Sequence, residues 1–227
     1  MGLKKSTEIN YGGAIKILSY GKSGAGKTYF AGGMCDMGPT LVICADKGLM
    51  SIKDKLFDTY EVNNWVEFNE AFAYLMSNID KYKFVVLDSL TEVQRMLILH
   101  MCGDKGPTLQ QWGEIDIRMH KVVTTFQNLP INVLTICLAN ENKDEVLGNT
   151  FVMPLIKGSL QQNLSAYYDV VLYHFTTLSD DKNTGEKTTQ YYCLSENDNR
   201  FVAKNRGGKL NRVEINSYPQ IYEKLIK

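Results

Sequence analysis

Residues Gly21-Lys22-Ser23-Gly24-Ala25-Gly26-Lys27-Thr28 fit the pattern G-x-x-x-x-G-K-[ST] at every fixed position. The pattern commits the chain to a strand, a tight glycine turn and a helix, in that order. The turn works only when its backbone N–H groups converge on one point and the next helix adds the positive end of its dipole there. The flanks comply: Ala14–Tyr20 reads as an apolar strand, and Lys27–Met34 is compatible with a helix. Such a concavity takes a phosphate. The expected nucleotide-binding stretch is therefore Gly21, Lys22, Ser23, Gly24, Ala25, Gly26, Lys27, Thr28 and the adjoining Tyr29. Lys27 would reach the β- and γ-phosphates of ATP, and the Thr28 hydroxyl would bind Mg²⁺.

Beyond this loop, strand and helix patterns alternate, which predicts an α/β fold with a mostly parallel sheet flanked by helices. Thr40–Ala45, Phe84–Asp88 and Asn132–Leu138 are short apolar runs of buried-strand type. Between them, Trp65, Phe68, Phe72, Leu75, Met76 and Ile79 recur at helical spacing, with Asn64 and Glu67 placed as a capping box. Ser89 is placed to cap a helix carrying Val93, Met96, Leu97 and Met101, and a longer helix is expected over 109–128. The last third is β-rich. Tyr168–Thr177 and Thr189–Ser195, joined by the turn-type cluster Asp180–Gly185, read as a C-terminal antiparallel hairpin. Arg200–Lys204 reads as one more strand, and Ser217 with Pro219 opens a closing helix. No linker, repeat or low-complexity tract interrupts the 227 residues, so 1–227 is expected to be a single domain.

Three further positions have the chemistry a nucleotide loop requires. Asp88 ends a Phe-Val-Val-Leu strand, where a carboxylate can hold Mg²⁺ through water opposite Thr28. Asp46 follows the second strand, where an acid needs only hydrogen-bond reach to a water in line with the γ-phosphate. Asn140, beside Glu141, follows a third strand and is placed to sense the γ-phosphate. Each also has a plain structural reading, as a helix cap or a turn residue.

Ala203-Lys204-Asn205-Arg206-Gly207-Gly208 resembles the K-x-R strand-end motif of RecA-fold helicases. With the P-loop, Val85–Leu90, Leu109–Gly113, Leu129–Val133 and Tyr168–Val171, the chain resembles phage-encoded RecA-like ATPases of the single-strand annealing and recombination type. The resemblance runs from about Ala14 to Arg212 and implies a RecA-like P-loop NTPase core. It also implies a homo-oligomer, ring or filament, in which Lys204 and Arg206 complete the neighbour's ATP site. Single-stranded DNA and a single-stranded DNA-binding protein are the implied partners, the DNA contacted through loops at about 102–111 and 142–165 that carry Lys105, Lys143 and Lys157. The departure from the family pattern is Asp46, where the relatives usually place Glu.

Composition excludes more than it assigns. The formal net charge is zero, so any nucleic-acid surface must be a local patch. The five cysteines are scattered with no C-x-x-C pair, which argues against a disulfide framework or a zinc site. Met1–Glu8 has no apolar core and no run reaches membrane-spanning length, so the expected location is cytoplasmic, host cytoplasm for a phage protein. A GTPase reading has only Asn142-Lys143-Asp144-Glu145 in its favour, with Glu145 where N-K-x-D needs Asp. A small-molecule kinase would need arginine clusters and a lid. A nucleotide-dependent assembly or switch protein with little hydrolysis and no DNA binding is the remaining alternative.

Overall fold

A computed structural model describes residues 13–143, 150–180 and 187–227. Among them are ten strands: β1 Lys16–Gly21, β2 Thr40–Cys44, β3 Asp58–Glu61, β4 Phe84–Asp88, β5 Asn132–Lys143, β6 Thr150–Pro154, β7 Val170–Asp180, β8 Lys187–Leu194, β9 Lys204–Asn205 and β10 Val213–Ile215. The α-helices among them are α1 Lys27–Cys35, α2 Trp65–Ser77, α3 Leu90–Cys102, α4 Leu109–Gln127, α5 Leu160–Asn163 and α6 Tyr218–Ile226. The path across the sheet is β10-β8-β7-β1-β5-β4-β2-β3, with β6 paired to β5 and β9 to β7. The stretch from β7 to β3 is parallel, and β8 and β10 extend it antiparallel. This is a mixed α/β architecture with a mostly parallel central sheet, as the alternating patterns require.

The central strands read as unbroken apolar runs because both of their faces are covered. Leu18, Tyr20, Leu41, Ile43, Val85 and Leu87 pack beneath α2, α3 and α4, against Phe68, Leu75, Leu97, Met119 and Phe126. Their neighbours Ile17, Val42, Val86, Leu134 and Ile136 face the other way, against Phe30 and Met34 of α1 and Tyr218 and Ile221 of α6. Fully burying one such aliphatic side chain contributes about 1.5–3 kcal/mol, so these two layers hold the sheet. Apart from Thr135 Oγ1 and Asn205 Oδ1, buried side-chain polar atoms among the described residues are partnered. The Tyr20 hydroxyl donates to the carbonyls of Val152 and Val202, and the Lys16 ammonium donates to those of Leu129 and Ile131.

Four expectations need correction. The strand expected over Asn132–Leu138 continues to Lys143, because beyond Leu138 it leaves the core and pairs with β6, where a polar sequence is no obstacle. The segment expected as a loop from Asn142 to Ser165 therefore contains β6 and α5. Arg200–Lys204 is not a continuous strand. Phe201 makes a single bridge to Val152 and stacks on Tyr173 at 4.3 Å, and pairing resumes only at Lys204–Asn205. At the start of α2, Asn64 accepts from the Val66 and Glu67 amides as expected, but Glu67 reaches back to the Asn63 amide rather than that of Asn64. Ser89 caps α3 through the Glu92 amide. Met1–Glu8, Asp144, Glu145 and the turn residues 181–185 lie outside the described residues. No helix among the described residues is long and apolar enough to cross a membrane.

Candidate functional site

Register brings the chemistry to one edge of the sheet. Gly21 at the end of β1 lies beside Leu138 of β5 and His174 of β7, and Asp88 at the end of β4 lies beside Cys44 and Ile136. Strand β5 runs between β1 and β4, so the glycine loop and Asp88 face each other across it. The loop and α1 then close a cleft of about 660 Å³ whose lining includes Lys27, Thr28, Asp46 and Asp88.

The loop itself depends on glycine. Gly24 and Gly26 sit at φ 79° and 84°, the left-handed region that side chains resist. A β-carbon at Gly24 would meet nothing within 4 Å, so this position opens onto the cleft. Lys27 is buried, and its ammonium donates to the carbonyls of Gly21 (2.9 Å) and Lys22 (2.8 Å). Burial lowers its pKa while Asp88 and Asp46 favour its charge. An incoming phosphate would offer this ammonium anionic oxygens in place of neutral carbonyls.

Thr28 Oγ1 donates to Asp88 Oδ2 at 2.8 Å. Burial pushes the Asp88 carboxyl up to about 6; the Thr28 hydroxyl and Lys27 pull it back and Asp46 adds to the rise. A hydroxyl oxygen and a carboxylate oxygen in contact are hard donors of the kind Mg²⁺ takes while keeping most of its waters. The donor set fits that ion, with Thr28 and Asp88 as the residues that would hold it. No group of three or more His, Cys, Asp or Glu that could hold a metal ion occurs among the described residues.

Asp46 stands exposed at the bend after β2, on the wall of the same cleft. Asn140 does not line the cleft; its amide donates to Asn142 Oδ1 at 3.0 Å, and Leu138, two residues earlier, takes the wall position. Its neighbour Glu141 reaches the loop instead, pairing with Lys22 at 2.7 Å. Tyr29 on α1 and Tyr191 on β8 line the cleft and are exposed.

Lys204 and Arg206 are not brought to this edge. β9 pairs with the start of β7, and the Arg206 amide bonds the Asp169 carbonyl level with Lys16. That is five strand residues from Gly21, about 16 Å at ~3.3 Å per residue. Both cations are engaged there. Lys204 donates to the Ser165 and Tyr168 carbonyls, and Arg206 pairs with Asp169 at 3.1 Å. Neither reaches its own subunit's cleft.

Sequence reasoning missed the C-terminal contribution. Tyr191 and Asn216 both press on Gly26, and His174 lies under Gly21. Nothing in sequence spacing marks residues so far apart as neighbours. Of the comparisons with known proteins, a family model described as AAA domain matches residues 14–207. No curated protein matches the chain.

Proposed function

The chain belongs to this AAA-domain family, and on that premise we propose that residues 1–227 form one Mg²⁺-dependent ATPase domain with a RecA-like core. The observation that carries this reading is the 2.8 Å contact between Thr28 and Asp88 in a cleft that also holds Lys27 and Asp46. In this reading the amides of 21–28 cradle the phosphates and Lys27 holds the β- and γ-oxygens. Thr28 and Asp88 would hold Mg²⁺, which would supply charge neutralisation on those oxygens. Asp46 accepts the proton of the water that attacks the γ-phosphorus, and ADP leaves on the opposite side. Tyr29 and Tyr191 frame the mouth through which the nucleoside extends.

We further infer an oligomer that acts on single-stranded DNA, in which Lys204 and Arg206 serve a neighbour's cleft. Support comes from the family resemblance and from Lys143, exposed at the end of β5 on the arm that Glu141 ties to Lys22. The exposed Asp46 in place of a glutamate favours a second reading, a nucleotide-dependent switch that turns over slowly.

One assay separates these readings. Phosphate release is measured for the full chain and for Lys27→Ala, with and without long single-stranded DNA, at several salt concentrations. The first reading expects turnover that Lys27→Ala abolishes and DNA stimulates, with binding that weakens by a log–log slope of about 0.7 per phosphate contact. ATP binding without turnover supports the switch. Turnover unchanged in Lys27→Ala removes the site assignment.

A further inference from the structure

A buried polar chain runs beneath the phosphate loop. His174 Nε2 lies 2.8 Å from Ser19 Oγ, and His174 Nδ1 lies 3.3 Å from Cys193 Sγ. Cys193 Sγ lies 3.5 Å from Asn216 Oδ1, and Asn216 Nδ2 donates to the Gly26 carbonyl at 3.0 Å. All four side chains are buried, with Asn216 the most accessible at 5 %. Donors and acceptors match in one direction. The Gly26 carbonyl can only accept, so the amide nitrogen faces it and the amide oxygen faces sulfur. The thiol then donates to that oxygen and accepts from Nδ1–H, which leaves Nε2 to accept from the Ser19 hydroxyl.

The same strands touch both motif glycines. A β-carbon at Gly21 would lie 2.6 Å from the His174 carbonyl oxygen. One at Gly26 would lie 2.5 Å from Asn216 Nδ2 and 2.9 Å from Tyr191 Cδ1. Gly26 is also where the first bond of α1 begins, since its carbonyl accepts from the Phe30 amide. The orientation of that one peptide therefore fixes both the loop amides and the helix end.

We propose that Asn216 is a positioning residue for the phosphate loop, oriented by Cys193, His174 and Ser19, so that the C-terminal strands set the geometry of the triphosphate cradle. The proposal rests on the ATP-site reading. A fully satisfied buried network fixes a single geometry, and removing Asn216 takes one of two donors from the Gly26 carbonyl and leaves the buried Cys193 thiol without its acceptor.

The test compares ATP with inorganic tripolyphosphate, which has the phosphates and no nucleoside. Calorimetric Kd values for both are measured with the full chain, Asn216→Leu, Cys193→Ala and Leu210→Ala. The last opens a cavity in the same C-terminal layer without touching the chain of polar groups. Asn216→Leu is expected to weaken ATP and tripolyphosphate alike, by about tenfold or more. Cys193→Ala is expected to weaken both a few-fold, which keeps the test alive should Asn216→Leu not fold. Leu210→Ala is expected to lower Tm and leave both Kd values in place. Unchanged tripolyphosphate affinity in a folded Asn216→Leu overturns the proposal. So does an equal loss in Leu210→Ala, which would make the effect one of general stability. Loss of ATP but not tripolyphosphate affinity would move Asn216 to the nucleoside and also overturns it. If the unaltered chain binds neither compound, the ATP-site reading itself has failed.

Discussion

Asp46 and Asp88 stand at the ends of adjacent strands yet live in different environments. Asp88 is buried with the Thr28 hydroxyl in contact, whereas Asp46 is exposed on the cleft wall. On the proposed reading their roles differ, and so do the losses expected on mutation. Asp88→Asn keeps the shape and an acceptor for Thr28 but removes the charge beside the metal. ATP affinity measured without Mg²⁺ is expected to hold within a few-fold while Mg²⁺-dependent turnover falls about 10–100-fold. Equal losses in both would make Asp88 structural. Asp46→Ala is expected to lower kcat by about 10²–10⁴ with little change in ATP Kd, as removal of a general base does. Asp46→Glu, one methylene longer, is expected to retain turnover; a dead Asp46→Glu beside an active Asp46→Ala would remove Asp46 from the reaction. The gathering of the loop, Asp88 and Asp46 on one cleft is legible in the sequence because each position depends on a local pattern, a strand followed by a defined residue. Asn140 does not line the cleft for a physical reason: its strand does not stop at Leu138, and Glu141 rather than Asn140 turns toward the loop.

At the scale of elements, the parallel strands and the long helices were legible because their apolar periodicity is strong. β3 and β10 were not. Asp58–Glu61 and Val213–Ile215 are edge strands, mostly exposed, and their register is set by β2 and β8 rather than by their own side chains. The contact of β7 and β8 with the phosphate loop has a measurable consequence in acid. Burial, and then the Lys27 charge, hold His174 down at about 3 against an ordinary 6.5, with Asn216 opposing. Phe30 covers its ring edge-on at 5.1 Å. Above pH 6.5 the imidazole is neutral in folded and unfolded chains alike. Between 6.5 and 3 the unfolded chain binds a proton that the folded one refuses, so stability falls as pH falls, by up to about 1.4 kcal/mol per pH unit from this residue. His174→Gln is expected to be less stable at pH 7 and to lose less on acidification. Urea unfolding of both proteins from pH 7 to pH 4 measures this, and parallel slopes would show that His174 does not carry the acid sensitivity.

For the whole molecule, the position of Lys204 and Arg206 turns the oligomer reading into a sharp expectation. Lys204 lies level with Leu18, about 10 Å of strand from its own loop, and Arg206 lies level with Lys16, about 16 Å away, so any service to ATP must be given to another subunit. The exposed Arg206–Asp169 pair is no barrier, since such pairs contribute about 0–1 kcal/mol. Turnover per subunit is then expected to fall on dilution. Arg206→Ala and Lys27→Ala, each inactive alone, are expected to regain activity when mixed, because some interfaces pair an intact loop with an intact arginine. Trans-acting arginines contribute about 10³–10⁵ in rate, so a minority of such interfaces is detectable. Full activity of Arg206→Ala, or flat specific activity over a wide dilution range, would leave Arg206 a surface residue.

The bond between Asn216 and Gly26 spans 190 residues of chain. During synthesis the clamp emerges about 10–40 s after the glycine loop, at ~5–20 residues per second. A nascent chain in that interval has the loop's sequence without its final shape. On the ATP-site reading, tight nucleotide binding thereby waits for β7, β8 and the Asn216 segment, and the nucleotide would stabilise only those copies in which they have docked.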